Sequence, residues 1–202
     1  MNVFYEEDGE LKVGAVLADN ETSLQVEAPH GKRSKVKASA VLLRFESPAH
    51  TAFMPAVRTQ ADAIDIDFLW QCCGAEDFGY DTLAREYYGQ APDAVQSAAV
   101  LTRLHSAPMY FYKKGRGRYK AAPEEALKAA LASVERKHLQ ALAKAAYVDE
   151  LAAGRMPESF QPLLDTLLYK PDKNSIEWKA LDEASAAAKL SPARLLERCG
   201  AL

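Results

Sequence analysis

The most chemically distinctive part of the chain is a basic segment in residues 109–120, where five cations are interleaved with aromatic residues and two glycines. Lysine and arginine neutralise phosphate charge, and tyrosine rings offer flat surfaces on which exposed bases stack, so the mixture indicates a nucleic-acid contact. The alternative is a solvated loop tip that carries charge only for solubility. The candidate contact residues are Lys113, Lys114, Arg116, Arg118, Lys120, Tyr112 and Tyr119.

A second group of cations lies in residues 32–37, where Lys32, Arg33, Lys35 and Lys37 are separated by Ser34 and Val36. This pattern predicts a strand with a basic face. Such a face suits a phosphate-contacting surface and equally suits a solvated surface with solubilising charge, and the sequence leaves both interpretations open.

The other polar clusters do not indicate catalysis. Asp62, Asp65 and Asp67 could suggest a magnesium site, but acidic residues favour helix N-termini, and helical geometry would send these side chains in different directions. The adjacent Cys72 and Cys73 cannot both face one metal ion. None of the four histidines has a Ser, Cys or carboxylate partner at the spacing of a hydrolytic site. We therefore predict no catalytic residue, no metal site and no cofactor in this chain.

Composition bounds the class of protein. The chain has 202 residues, of which 49% are hydrophobic and 26% charged, and a formal net charge of −3. This charge argues against a bulk nucleic-acid binder, so an anionic partner must be met by a local patch. Three cysteines without a disulfide framework, no signal peptide and no membrane-length apolar run predict a cytoplasmic protein with no membrane partner.

The elements that position the two basic groups follow from strand and turn signals. Five short β-rich runs are separated by Asp-Gly, Asp-Asn and Pro-His-Gly turns. A sheet this small must curl to bury an apolar face, so we predict a five-stranded β-barrel over residues 1–46. The predicted strands are Val3–Tyr5, Lys12–Leu17, Ser23–Glu27, Arg33–Lys37 and Val41–Phe45.

The rest of the chain divides into three predicted segments. Residues 47–61 contain two prolines and several small residues and are interpreted as a linker. Residues 62–122 show three helical patterns, the third over Pro92–His105, followed by the basic hairpin, which is the order of a winged helix-turn-helix. Residues 123–202 are rich in Ala, Leu, Lys and Glu and predict an all-helical region. The predicted fold class is therefore α+β.

Seven stretches of the sequence carry a resemblance: Val3–Glu7, Lys12–Leu17, Gly31–Lys37, Val41–Phe45, Asp67–Trp70, Leu83–Gly89 and Met109–Lys113. Together they are similar to the N-terminal region of a bacterial branch of the ribonuclease II (RNB) exoribonucleases, and the last three are also seen in organellar members. The resemblance spans essentially the whole chain.

The resemblance implies a function that this chain performs only in part. Family members degrade single-stranded RNA from its 3′ end with Mg²⁺ held by aspartates of a large catalytic domain, and no match to that motif occurs here. We therefore expect an N-terminal fragment without activity, whose partners are single-stranded RNA and its own catalytic domain. In this branch a winged helix replaces cold-shock barrels and guides RNA. The resemblance thus favours RNA contacts at the basic hairpin and, secondarily, at residues 32–37.

Two other classes of function are considered beside RNA guidance. The chain could be an interaction module, with the Ala- and Leu-rich helical region docking on a catalytic domain or forming a dimer. It could also be a DNA-binding regulator in which Pro92–His105 enters a major groove. That helix offers a single cation among its candidate contacts, which are Asp93, Gln96, Ser97, Thr102 and Arg103.

Overall fold

The structure, a computed structural model, describes residues 1–201. Within them the chain is α+β, with eight α-helices and two antiparallel sheets, in agreement with the predicted class. It divides into two compact units, Met1–Lys128 and a second that begins at Ala129. The strands are β1 (Asn2–Glu7), β2 (Glu10–Asp19), β3 (Ser23–Glu27), β4 (Arg33–Lys37), β5 (Val41–Phe45), β6 (Phe78–Gly79), β7 (Phe111–Gly115) and β8 (Arg118–Ala121). The helices are α1 (His50–Asp62), α2 (Ile66–Gln71), α3 (Tyr80–Tyr88), α4 (Ala94–His105), α5 (Glu124–Ala152), α6 (Leu164–Tyr169), α7 (Ile176–Ala188) and α8 (Pro192–Arg198).

The first five strands form one sheet in the order β4-β3-β2-β1-β5. All five predicted strands are confirmed, and the last three match their predicted bounds. One face of the sheet has its own apolar cluster, to which Val36 of β4 and Val41 of β5 both contribute. Within residues 1–201 no hydrogen-bonded ladder joins β4 to β5, so closure into a barrel is not shown.

The predicted linker over residues 47–61 is wrong, because most of it forms helix α1. Phe53, Val57 and Ala61 recur every four residues and are buried on one face of this helix. The Phe53 ring stacks on Phe45 of β5 with centroids 4.1 Å apart. Pro55 lies inside the helix and is exposed. In the sequence, this proline favoured a linker over a helix. In the structure, the sheet and the helices that follow it share one continuous core.

The three predicted helices after residue 61 are present with shifted starts. Helix α2 begins after Asp65, whose side chain accepts a hydrogen bond from the Phe68 backbone N–H. Asp81 lies in the first turn of α3. Helix α4 is capped by Asp93 in a capping box, so Pro92 precedes the cap. Gly89 ends α3 in the left-handed conformation, which favours glycine.

The basic hairpin predicted from the sequence is confirmed as β7 and β8. A two-residue strand that the sequence did not predict, β6, pairs with β8, and the small sheet has the order β6-β8-β7. Gly117 sits at the turn with φ +69°, a conformation that favours glycine. Its carbonyl accepts a hydrogen bond from the Tyr80 backbone N–H, and the Tyr80 hydroxyl donates to the Leu42 carbonyl. These contacts fix the hairpin against the helices and the larger sheet.

The second unit is all-helical, as predicted for that part of the chain. Its core contains Leu151, Phe160, Leu181 and Leu196, among others. Ser191 caps α8 and Pro192 occupies its first turn. Helix α7 is capped by Ser175.

Candidate nucleic-acid interface

The basic hairpin has two different faces. Tyr112 pairs with Lys120 across the strands, and Lys113 pairs with Tyr119. Directly opposed residues of an antiparallel pair share a face and neighbouring residues alternate, so these two pairs lie on opposite faces. A register shift between Lys113 and Gly115 leaves Lys114 unpaired, and Gly115 pairs with Arg118. Lys114 and Arg118 each follow or precede an inward-facing residue by one position, which places both on the side of Lys120. The outward face of the hairpin therefore consists of Tyr112, Lys114, Arg118 and Lys120.

Tyr119 lies on the inward face, and its prediction as a stacking surface is wrong for this structure. Its side chain is 3% exposed and belongs to the core shared by sheet and helices. Burial, and then the negative charge of Glu6, raise the pKa of Tyr119 to about 12. Its hydroxyl lies 3.4 Å from His105 Nδ1, while His105 Nε2 lies 2.7 Å from the Gly9 carbonyl oxygen. Tyr119 therefore anchors the hairpin to the sheet and cannot offer a free ring.

Lys113 and Arg116 are held by a buried carboxylate that the sequence analysis missed. Glu6 of β1 forms ion pairs with Lys113 Nζ and, at 3.9 Å, with Arg116 Nε, while its own side chain is only 8% exposed. Arg116 Nη1 also donates to the Ser39 carbonyl. The sequence does contain one indication of this contact. Glu6 lies two positions after Phe4, on the core side of a strand, and a charged residue there requires a partner. These two cations bind the hairpin to the sheet.

The cations of the outward face differ from Lys113 and Arg116 in their partners. Among residues 1–201, no ion pair involves Lys114, Arg118 or Lys120. Tyr112 is 38% exposed and lies beside Lys120 as its cross-strand neighbour. The face therefore combines two exposed cations, Lys114 and Arg118, with the half-buried Lys120 and one exposed ring.

The second basic group lies on β4, at one edge of the five-stranded sheet. Arg33, Lys35 and Lys37 alternate along one face of this strand and are exposed, and Lys32 precedes them on the surface. Arg33 Nε donates to Glu27 Oε2 at 3.1 Å, so one of the four cations already has an anionic neighbour. Lysines on an edge strand also discourage pairing with another chain. The geometry of this group is therefore compatible both with a phosphate-contacting surface and with a solvated strand edge.

Helix α4 does not present the exposed polar face that recognition of a DNA major groove requires. Ser97 is buried, and Arg103 Nε donates to the Ile64 carbonyl at 3.0 Å. Asp93 and Gln96 are engaged in the capping box, and the Thr102 hydroxyl is enclosed. These residues hold the helix in the core, so this structure gives no support to major-groove recognition by α4.

The acidic and cysteine clusters have structural roles. Asp65 caps α2, and Asp67 Oδ1 accepts a hydrogen bond from the Tyr110 hydroxyl at 2.7 Å. Burial, then the neighbouring Cys72, raise the pKa of the Cys73 thiol to about 12, so Cys73 is held as a thiol. Within the described part of the chain, no group of three or more His, Cys, Asp or Glu side chains is placed to hold a metal ion.

Among the helices that the structure describes, none combines the length and apolar character needed to cross a bilayer. No family model, curated protein or solved structure matches this chain significantly.

Proposed function

We propose that this chain is a cytoplasmic region that binds single-stranded RNA and guides it to a catalytic domain of a longer RNB exoribonuclease. The observation that carries the proposal is the outward face of the hairpin. Among residues 1–201, Lys114, Arg118 and Lys120 form no ion pair; the first two are exposed and Lys120 is half-buried, and Tyr112 adds an exposed ring beside them. Accessible cations next to an aromatic ring suit a flexible strand whose phosphates and bases are both exposed.

The surrounding elements support a winged helix as the scaffold of this surface. Helices α1, α3 and α4 precede the hairpin, and β6 pairs with its second strand. We infer that the β7–β8 hairpin is the wing and that α1, not the predicted α2, is the first helix of the domain. Because α4 is buried, the wing is the contact element, and the expected ligand is a single strand rather than a duplex.

The experiment is RNA binding by two charge-matched triple variants. One variant replaces the outward cations Lys114, Arg118 and Lys120 by Ala, and the other replaces Lys32, Lys35 and Lys37 by Ala. Both lose the same charge, so a general electrostatic effect weakens both equally. We expect the outward variant alone to bind a single-stranded RNA weakly, and its salt slope to fall by about 2, since each single-strand phosphate contact contributes about 0.7.

The readout is fluorescence anisotropy of a labelled RNA at several salt concentrations, with a duplex DNA of equal length in competition. An unchanged RNA affinity in the outward variant would show that the hairpin is not the RNA-binding surface. Equal losses in the two variants would reduce the effect to net charge, and a larger loss in the β4 variant would move the RNA surface to the sheet edge.

A second candidate function is self-association through α5. The observation that favours it is a set of apolar side chains on this helix that are exposed, namely Leu131, Val134, Leu139 and Leu142. Exposed apolar residues clustered on one helix often mark an interface. A stable dimer in sedimentation analysis, together with no RNA affinity at low salt, would favour this function over RNA guidance.

A further inference from the structure

A cleft of about 450 Å³ lies at the base of the basic hairpin, next to its outward face. Its walls come from the end of α2 and the loop after it on one side, and from the end of β8 on the other. The larger side chains that line it are Trp70, Gln71 and Lys120, and residues 73–75 and 121–123 complete it with small side chains and proline. None of the lining residues is acidic.

Trp70 is fixed in this cleft by one edge of its ring. The indole Nε1 donates a hydrogen bond of 2.9 Å to the carbonyl of Ala122, the residue that directly follows the strand carrying Lys120. The side chain is half-buried, so part of the ring lines open space. An indole whose N–H is already satisfied presents a π surface to whatever enters, and a rigid aromatic surface costs little entropy when a ligand stacks on it.

Lys120 belongs to both the cleft and the outward face. Its ammonium can meet a phosphate while the adjoining base lies in the cleft, and its cross-strand neighbour Tyr112 continues the surface toward Lys114 and Arg118. Gln71 is exposed at the cleft and carries both a donor and an acceptor for the edge of a base.

We propose that this cleft is a nucleobase-binding subsite, in which one base of a single-stranded RNA stacks on Trp70 while its phosphate contacts Lys120. The inference rests on the proposed RNA-binding function and adds the place where a base is held. An acidic peptide would match the cation at Lys120, but it would leave the flat indole surface unused. A nucleotide uses both features.

The test follows the fluorescence of Trp70 in the full chain. The protein has two tryptophans, so Trp178→Phe leaves Trp70 as the single reporter. Two probes of equal length are titrated at low salt: a short oligoadenylate and an abasic sugar-phosphate strand. We expect oligoadenylate to quench Trp70, and the abasic strand to bind through the cations with little quenching, because only a base can stack on the indole.

Affinity provides the second readout. Trp70→Ala is expected to weaken oligoadenylate binding by about 5-fold to 150-fold and to leave the abasic strand nearly unaffected, since one base–aromatic stack has this size. Trp70→Phe keeps a stacking ring and should retain most of the affinity. Far-UV circular dichroism confirms that the variants fold, and the quenching experiment needs no change at Trp70.

The outcomes separate this inference from the function on which it rests. Salt-dependent oligoadenylate binding without quenching would overturn the base subsite and leave the RNA function standing. If neither strand binds at low salt, the proposed function and the subsite both fail. Equal quenching by oligoglutamate would assign the cleft to an acidic chain and overturn the nucleobase.

Discussion

The ion-pair group around Glu6 makes an asymmetric prediction about stability. Glu6 is nearly buried, whereas Lys113 and Arg116 are 42% and 44% exposed. Replacing Glu6 by Gln removes the buried charge and lets both cations turn toward water. Replacing Lys113 by Met keeps the side-chain stem but leaves the carboxylate with Arg116 Nε at 3.9 Å as its remaining cation. The second change should therefore cost more than the first.

The magnitudes follow from the exposure of each partner. Breaking a fully buried pair by removing one ion costs about 3–5 kcal/mol, and the half-exposed cations here reduce that figure. We expect about 2 kcal/mol for Lys113→Met, which is the cost of an under-satisfied buried polar group. Glu6→Gln should cost roughly 0.5–1 kcal/mol, as for a surface pair. For a unit of this size, Lys113→Met should lower the Tm by about 8 °C and Glu6→Gln by at most about 4 °C.

The assay is urea unfolding followed by the fluorescence of Trp70 in a Trp178→Phe background, so that the signal reports the first unit. Lys114→Met is the matched control, because this exposed neighbour has no ion pair within residues 1–201 and should change stability by less than about 0.5 kcal/mol. The reasoning is refuted if Glu6→Gln costs as much as Lys113→Met, or if Lys113→Met matches the control.

Three further changes test the core and the hairpin. Phe53→Ala should destabilise the protein by about 3–5 kcal/mol in urea unfolding, with exposed Arg58→Ala as a near-neutral control, and equal effects would contradict the core assignment of α1. Gly117→Ala should cost about 2 kcal/mol, because φ is +69° and the added Cβ would lie 3.0 Å from the Tyr80 ring. Gly115→Ala meets nothing closer than 3.8 Å and should be mild, so an equal loss would refute strain at residue 117. The raised pKa of Tyr119, about 12, means that its stabilising contribution is present below pH 10 and is lost between about pH 10 and 12. Tyr119→Phe should therefore flatten the fall of unfolding free energy across this range, and an unchanged slope would argue against burial of the hydroxyl.

The sequence predicted elements best where local signals and tertiary structure agree. The strands of the first sheet were found because Gly-, Asn- and Pro-containing turns separate short β-branched runs, and these turns persist in the fold. Helix α1 was missed because Pro55 and small residues outweighed a buried face formed by Phe53, Val57 and Ala61. Strand β6 was missed for a different reason: two residues carry no periodic signal and pair only once β8 is in place.

The candidate site was predicted as a set of residue types but not as a surface. Composition alone could not distinguish among the five cations and two tyrosines. In the folded hairpin, alternation along the strands places their side chains on opposite faces. Tyr119 is buried in the core. Lys113 and Arg116 form ion pairs with Glu6, a residue that lies more than one hundred positions earlier in the chain. Contacts at such separation depend on how the sheet packs against the helices, and no local pattern encodes that packing.

This division changes what the proposed RNA contact should look like in solution. If all five cations of the hairpin contacted phosphates, their removal would reduce the salt slope by about 3.5, whereas the outward three account for about 2. Glu6→Gln releases Lys113 and Arg116, so it should raise the salt slope and the RNA affinity while it lowers stability. Opposite effects of one substitution on binding and on stability would distinguish a carboxylate that restrains cations from one that only supports the fold. The same buried carboxylate then explains both why the hairpin stays docked and why Lys113 and Arg116 are not part of the proposed contact surface.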